Sequence, residues 1–207
     1  MLFRSVFVIQ YFWGTHFVGI YSAAKTIFRF IDEAINTINS MIYSPIVKYI
    51  KLNDKQSLNK IITKSVSVLV VGFGFVTLFC WIFSDSIFGF FLPEKFVKAV
   101  PYFNVLMLSS IFLPFTLLSS AISGSGKPEI VAKYIIYSFF FWLGSYYIFG
   151  TFFNEYDILV ALPYFIFVLV LSFFLFRYSN KYFDFKFRQI FRAIPDFYNL
   201  ILNKFKM

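Results

Sequence analysis

Seven residues between positions 21 and 43 carry the densest side-chain chemistry in the chain: Tyr21, Lys25, Arg29, Asp32, Asn36, Asn39 and Tyr43. On an α-helix their spacing places them along one narrow stripe, while Ala23, Ile27, Phe30, Ile31, Ala34, Ile38 and Met41 fill the opposite side. The polar stripe holds charges of both signs with amides and phenols. Such a set solvates and hydrogen-bonds a polar partner; it is not a nucleophile with its base. No acidic or histidine pair sits in a sizeable loop, so covalent catalysis has no sequence support.

The rest of the chain gives the stripe its meaning. Of 207 residues 59% are hydrophobic and only 14% charged, and mean hydropathy is +0.74, which excludes an ordinary soluble domain. An Arg, Lys or Asp at mid-helix in a bilayer costs roughly 2.5 to 3.5 kcal/mol on insertion scales, so such groups face a protein interior or a wet cavity. The stripe is therefore expected to line a polar passage. A net charge of +9 would suit nucleic acid, but the basic residues lie mostly between apolar runs rather than on a soluble core, which argues against that partner. With one cysteine, Cys80, and one histidine, His16, neither an intrachain disulfide nor a Cys/His metal site can form, and no cofactor is implied. His16 reads as structural. The abundant phenylalanine reads as lipid-facing filler.

Taken in order, the chain predicts an all-α integral membrane bundle of about five transmembrane helices and a C-terminal interfacial helix. Residues 1–16 read as the remnant of a preceding helix or a re-entrant segment, and no signal-peptide cleavage pattern follows Arg4. The striped helix runs from about Phe17 to Pro45 or slightly beyond, and a basic loop follows with Lys48, Lys51, Lys55, Lys60 and Lys64. Further spans are expected at Ser65 to Phe83, Tyr102 to Ile122 with a kink at Pro114, Ile130 to Phe153, and Ile158 to Phe176. Residues 17–178 thus form the bundle. Residues 179–207 form a basic amphipathic tail suited to anionic headgroups and membrane lipids, with a soluble docking partner as the alternative.

Ser123–Pro128, SGSGKP, is not a phosphate loop, because Ala121 and Pro128 replace the glycine and the hydroxyl residue that such a loop requires. Lys and Arg concentrate in the 48–64 connection, at Lys127 and Lys133, and from Arg177 onward; the alternate connections hold Arg4, Lys95 and Lys98. The positive-inside rule then puts the C-terminus in the cytoplasm and the N-terminus outside, an arrangement suggesting a start that lacks a preceding span.

The run VGIYSAAKTIFRFIDEAINTINSMIYSPIVKY resembles the first complete helix in the second half of polysaccharide flippases of the multidrug/oligosaccharidyl-lipid/polysaccharide exporter superfamily. IFGFFLPEKFVKAVPYFNVLMLSSIF and SGSGKPEIVAKY are similar to later segments of that half, so the resemblance covers roughly residues 5 to 178. It implies no enzyme but a transporter in a bacterial inner membrane, carrying undecaprenyl-diphosphate-linked oligosaccharide for surface polysaccharide such as O-antigen. It also implies a second half-transporter, or a homodimer, to enclose the cavity. On this reading Lys25 and Arg29 hold the diphosphate, while Asn36, Asn39, Tyr21 and Tyr43 bind sugar hydroxyls or shape the cavity. Asp32 neutralises Arg29 or serves as a proton or cation site; alternatively Arg29 and Asp32 are only an intramembrane ion pair. Two other readings compete: a multidrug extruder, for which the Lys25/Arg29 pair is ill suited, and a non-transporting scaffold or inactive remnant.

Overall fold

The computed structural model describes residues 2–153 and 155–183. It is 91% helical and no described residue lies in a strand, which makes the protein an all-α helical bundle. Its helices are α1 (Leu2–Trp13), α2 (Thr15–Lys51), α3 (Lys55–Ile82), α4 (Ser84–Phe91), α5 (Val100–Ser110), α6 (Leu117–Gly124), α7 (Pro128–Phe152) and α8 (Leu162–Phe183). Short 3₁₀ turns at Glu94–Ala99, Leu113–Thr116 and Asp157–Val160 link some of them. Three helical segments are long and apolar enough to cross a membrane: α3, α7 and Asp157–Phe183. A fourth is added if the bent pair Phe96–Ser110 and Leu113–Gly124 counts as one span. Their outer faces expose Phe75, Leu78 and Phe79 on α3 and Phe140, Phe141 and Ile148 on α7, so this is a membrane protein.

Helix α2 is the axis of the bundle and packs against α1, α3, α5 and α6. At 37 residues and a rise of ~1.5 Å each it is long enough to cross a bilayer, and it is set apart from the other spans by its charges rather than its length. Pro45 does not end it. The ring removes only the donor that would reach the Met41 carbonyl, and the helix continues to Lys51. What ends it is Asn53 with φ 53°, in the left-handed region that an Asn tolerates. The Asn53 amide donates to the Ile50 carbonyl and the Asp54 amide to the Tyr49 carbonyl, at 3.0 and 3.1 Å. Asp54 then caps α3, its Oδ1 accepting from the Ser57 amide at 3.0 Å. The expected basic loop is therefore a tight hairpin between helices, with Lys55, Lys60 and Lys64 on α3.

At the other end of α2, Gly14 with φ 85° breaks the helix from α1. Helix α1, at twelve residues, is too short to span, and it lies against α7 with Phe12 beside Tyr147 and Trp13 beside Tyr146. Gly150 makes that approach possible, since a Cβ there would sit 2.4 Å from the Phe12 ring.

The expected kink at Pro114 is a full break of 46°. Three neighbouring helices brace it. Ser172 on α8 donates to the Phe112 carbonyl at 3.0 Å, Thr77 on α3 meets the Ser110 hydroxyl, and Asn39 on α2 donates to Thr116 Oγ1 at 3.1 Å. One backbone carbonyl at the break and two side chains beside it thus find partners inside the protein, where membrane depth offers no water. Helix α8 begins four residues later than expected, after the Asp157–Val160 turn, and runs on to Phe183. The expected interfacial tail beyond it lies outside the described residues.

Packing gathers the basic residues at one end. The α6–α7 turn abuts the end of α2, with Gly124 close to Val47 and Ile50, and Asn59 Nδ2 donates to the Phe183 carbonyl at 3.0 Å. Lys48, Lys51, Lys55, Lys60, Lys127, Arg177 and Lys181 therefore share that end of the bundle, while Asp85 and Asp157 lie towards the other.

Two outcomes test these contacts. Gly150→Val forces Phe12 out of its place and is expected to cost about 1–3 kcal/mol by overpacking, with Phe12→Ala relieving it; thermal unfolding in detergent checks both. Hydrogen bonds from the Ser57 side chain and amide hold the Asp54 carboxyl below its ordinary value of 3.8. Its capping contribution is complete above that value and is lost as pH falls through the lower folded value. Asp54→Ala should therefore speed amide exchange at the start of α3 at neutral pH and leave it unchanged below the folded value.

Candidate functional site

Lys25, Asp32 and Asn39 recur every seven residues on α2, followed by Ile46, so they run down one seam of the helix. That seam faces the bundle. Lys25 is 6% exposed, and its Nζ lies 3.1 Å from Asp32 Oδ2, two turns along the same helix. The two chains reach each other because Asp32 leans towards the helix N-terminus while the long Lys25 stem extends the other way. Asp32 Oδ1 accepts a hydrogen bond of 2.7 Å from the Tyr164 hydroxyl, at the start of α8. The ammonium also lies 3.2 Å from the Tyr164 ring centroid and 4.5 Å from that of Phe28, so both aromatic faces complete its surroundings. Beside this cluster, buried Tyr21 engages Tyr146, whose hydroxyl donates to the Val160 carbonyl at 3.3 Å.

Roughly a third of a turn around α2, a second polar surface is exposed. Thr26, Arg29, Glu33, Thr37, Ser40, Ser44 and Lys48 follow one another at three- and four-residue steps with Asn36 beside Thr37, and all are exposed. Arg29 Nε donates to Glu33 Oε1 at 3.3 Å, with their side chains 62% and 61% exposed. Thr26, Thr37 and Ser40 return their hydroxyls to the helix, donating to the carbonyls of Ser22, Glu33 and Asn36. Tyr43 lies at the margin of this face, 43% exposed.

The single stripe expected from the sequence is therefore two surfaces. Tyr21, Lys25, Asp32 and Asn39 turn towards the bundle, while Arg29, Asn36 and Tyr43 belong to the exposed face. One expectation is corrected: Asp32 pairs with Lys25 and not with Arg29, because the seven-residue seam and Tyr164 hold its carboxylate inward; Arg29 takes Glu33 instead. Lys25 and Arg29 thus each meet their own carboxylate, on different faces of the helix. Asn39 spends its amide donor on Thr116 at the broken span. The side expected to be uniformly apolar is split as well: Ala23 is buried, whereas Phe30 and Met41 are 68% and 71% exposed.

Glu33 and Tyr164 are the site residues that the stripe does not contain. Glu33 had a local signal, its position four residues beyond Arg29. Tyr164 had none, being 132 residues from Asp32 in sequence. No protein-family model matches the chain, and neither a curated protein nor a solved structure matches it.

Removing one member of the buried pair leaves the other uncompensated. Lys25→Met and Asp32→Leu are each expected to cost about 3 kcal/mol, with Lys25→Met less because the Asp32 side chain it strands is 24% exposed, whereas Asp32→Leu strands the more buried ammonium, and the double substitution should recover much of the loss. Tyr164→Phe should cost about 1.5 kcal/mol through one hydrogen bond to a charged group. Thermal unfolding of the purified variants measures all four.

Proposed function

We propose that this protein supplies one wall of a polar pathway by which a lipid-linked oligosaccharide crosses the membrane, the wall being the exposed face of α2. One observation carries the reading: Arg29, Glu33 and Asn36 stand exposed within a bundle whose neighbouring spans present phenylalanine and leucine outward. Hydrocarbon does not solvate such groups; water and a hydrogen-bonding cargo do. From Thr26 to Lys48 the polar face extends for about 33 Å at a rise of ~1.5 Å per residue, which exceeds the ~30 Å hydrocarbon thickness. It offers a route from one surface to the other.

On this face Arg29 is the cation that a diphosphate meets, and its exposed bond to Glu33 is easily exchanged for a phosphate oxygen. Asn36, Tyr43 and the serine and threonine hydroxyls suit sugar hydroxyls. Lys25 acts from behind, holding Asp32 at the edge of the pathway. The resemblance to polysaccharide flippases supplies the cargo class, undecaprenyl-diphosphate-linked oligosaccharide, and a transporter role without covalent chemistry. A second half-transporter or a second copy closes the opposite wall. By the positive-inside rule the basic end faces the cytoplasm, and the end of α8 with it, in a bacterial inner membrane.

In a flippase-deficient cell carrying this protein with its partner half, Arg29→Ala is expected to abolish surface polysaccharide at an unchanged membrane level. Met41→Ala, on the exposed apolar side, should leave it intact. Normal polysaccharide in the Arg29→Ala strain would sink the assignment of this face to the cargo.

A further inference from the structure

The antiparallel pair α7 and α8 carries cations at one end and an apolar groove further along the same seam. At the basic end, Lys127 Nζ lies 4.8 Å from the Tyr182 ring centroid and Lys181 Nζ 5.7 Å from the same ring. Lys133 Nζ lies 5.6 Å from the Tyr137 ring, and Lys133 and Arg177 both lie close enough to Tyr134 to act on it electrostatically. Stacked rings of Tyr178 and Tyr182, and of Tyr134 and Phe174, form the floor between these cations. None of the four cations forms an ion pair with a described carboxylate.

The groove lies on the same surface. It is bordered by Phe140, Phe141, Gly144 and Ile148 of α7 and Ile166 of α8, with a volume of about 420 Å³. Gly144 opens it, for a Cβ at that position would meet nothing within 4 Å. Lys133, Tyr137, Phe140, Gly144 and Ile148 succeed one another at three- and four-residue steps, so cation and groove share one stripe of α7. On α8, Ile166 and Arg177 are eleven residues apart and also share a stripe. The rise from Lys133 to Gly144 is about 16 Å, close to the ~15 Å depth of one leaflet. A methylene is comparable in size to a water molecule, about 30 Å³, so the groove seats roughly a dozen carbons, one chain rather than two.

We propose that the α7/α8 seam binds one anionic phospholipid of the leaflet at the basic end, its phosphate held among Lys127, Lys133, Arg177 and Lys181 and one acyl chain laid over Gly144. Cations alone would take any anion, and the groove alone any lipid. Their alignment at leaflet depth selects an amphiphile that has both a negative headgroup and a chain. No residue of this site belongs to the exposed face of α2, so the site stands or falls independently of the transport reading.

Native mass spectrometry of the full chain in mild detergent tests it, with dioleoyl phosphatidylglycerol and dioleoyl phosphatidylcholine as probes. The expected result is one phosphatidylglycerol retained with a preference of about ten-fold or more. Lys133→Ala with Arg177→Ala, both exposed and fold-neutral, should reduce that preference to near unity. Gly144→Leu should lower retention of both lipids, and if that variant fails to fold, Phe140→Asp at the exposed groove edge serves the same purpose. Millimolar inorganic phosphate should not displace the lipid. Equal retention of the two lipids, undiminished binding by both groove variants, or displacement by free phosphate would each overturn the proposal.

Discussion

A lysine ammonium inside an apolar bundle needs a carboxylate, and Lys25 finds Asp32 two turns further along its own helix. Pairing within one helix neutralises the charge without fixing a partner span. What fixes the partner is Tyr164, which takes the second carboxylate oxygen and lays its ring against the ammonium. The pair therefore sets the rotation of α2 about its axis. Turned outward, Lys25 and Asp32 would leave Phe28 and Ile35, now almost wholly buried, in their place on the surface. With the seam inward, Arg29, Glu33 and Asn36 must be outward, and the polar exposed face follows from the buried ion pair.

The same helix touches the weakest point of the backbone. Pro114 leaves a span without a continuous hydrogen-bond ladder, and Asn39, Thr77 and Ser172 reach it from three helices. Asn39 stands two turns below Asp32 on the same seam, so the site and the broken span share one rigid element. A change in the rotation of α2 would act on both. Such a link ties the polar seam of α2 mechanically to a bend in a neighbouring span.

The bundle's two ends differ in charge, and that difference comes from packing as much as from composition. Lys48, Lys127 and Lys181 are far apart in sequence, but the hairpin at Asn53, the close approach at Gly124 and the Asn59 bond to Phe183 bring them to one level. At that level the protein meets headgroups. The α7/α8 seam extends this surface into the leaflet, and the absence of a side chain at Gly144 leaves room for a chain beside an otherwise bulky aromatic face.

By itself the sequence determined the all-α class, the apolar spans and the polar character of α2, because hydropathy and helical period are local properties. It also located the break at Pro114. Other boundaries were less legible: Asn53 adopts a left-handed conformation that no composition rule demands, which turned an expected loop into two helix ends. Tertiary structure alone decided which cation meets which carboxylate. Lys25, Arg29, Asp32 and Glu33 admit several pairings at helical spacing, and those pairings differ little in an isolated helix. Tyr164 selects among them, and it reaches Asp32 only after the chain has folded across 132 positions, because burial makes a pairing costly to break and burial is a property of the assembled bundle.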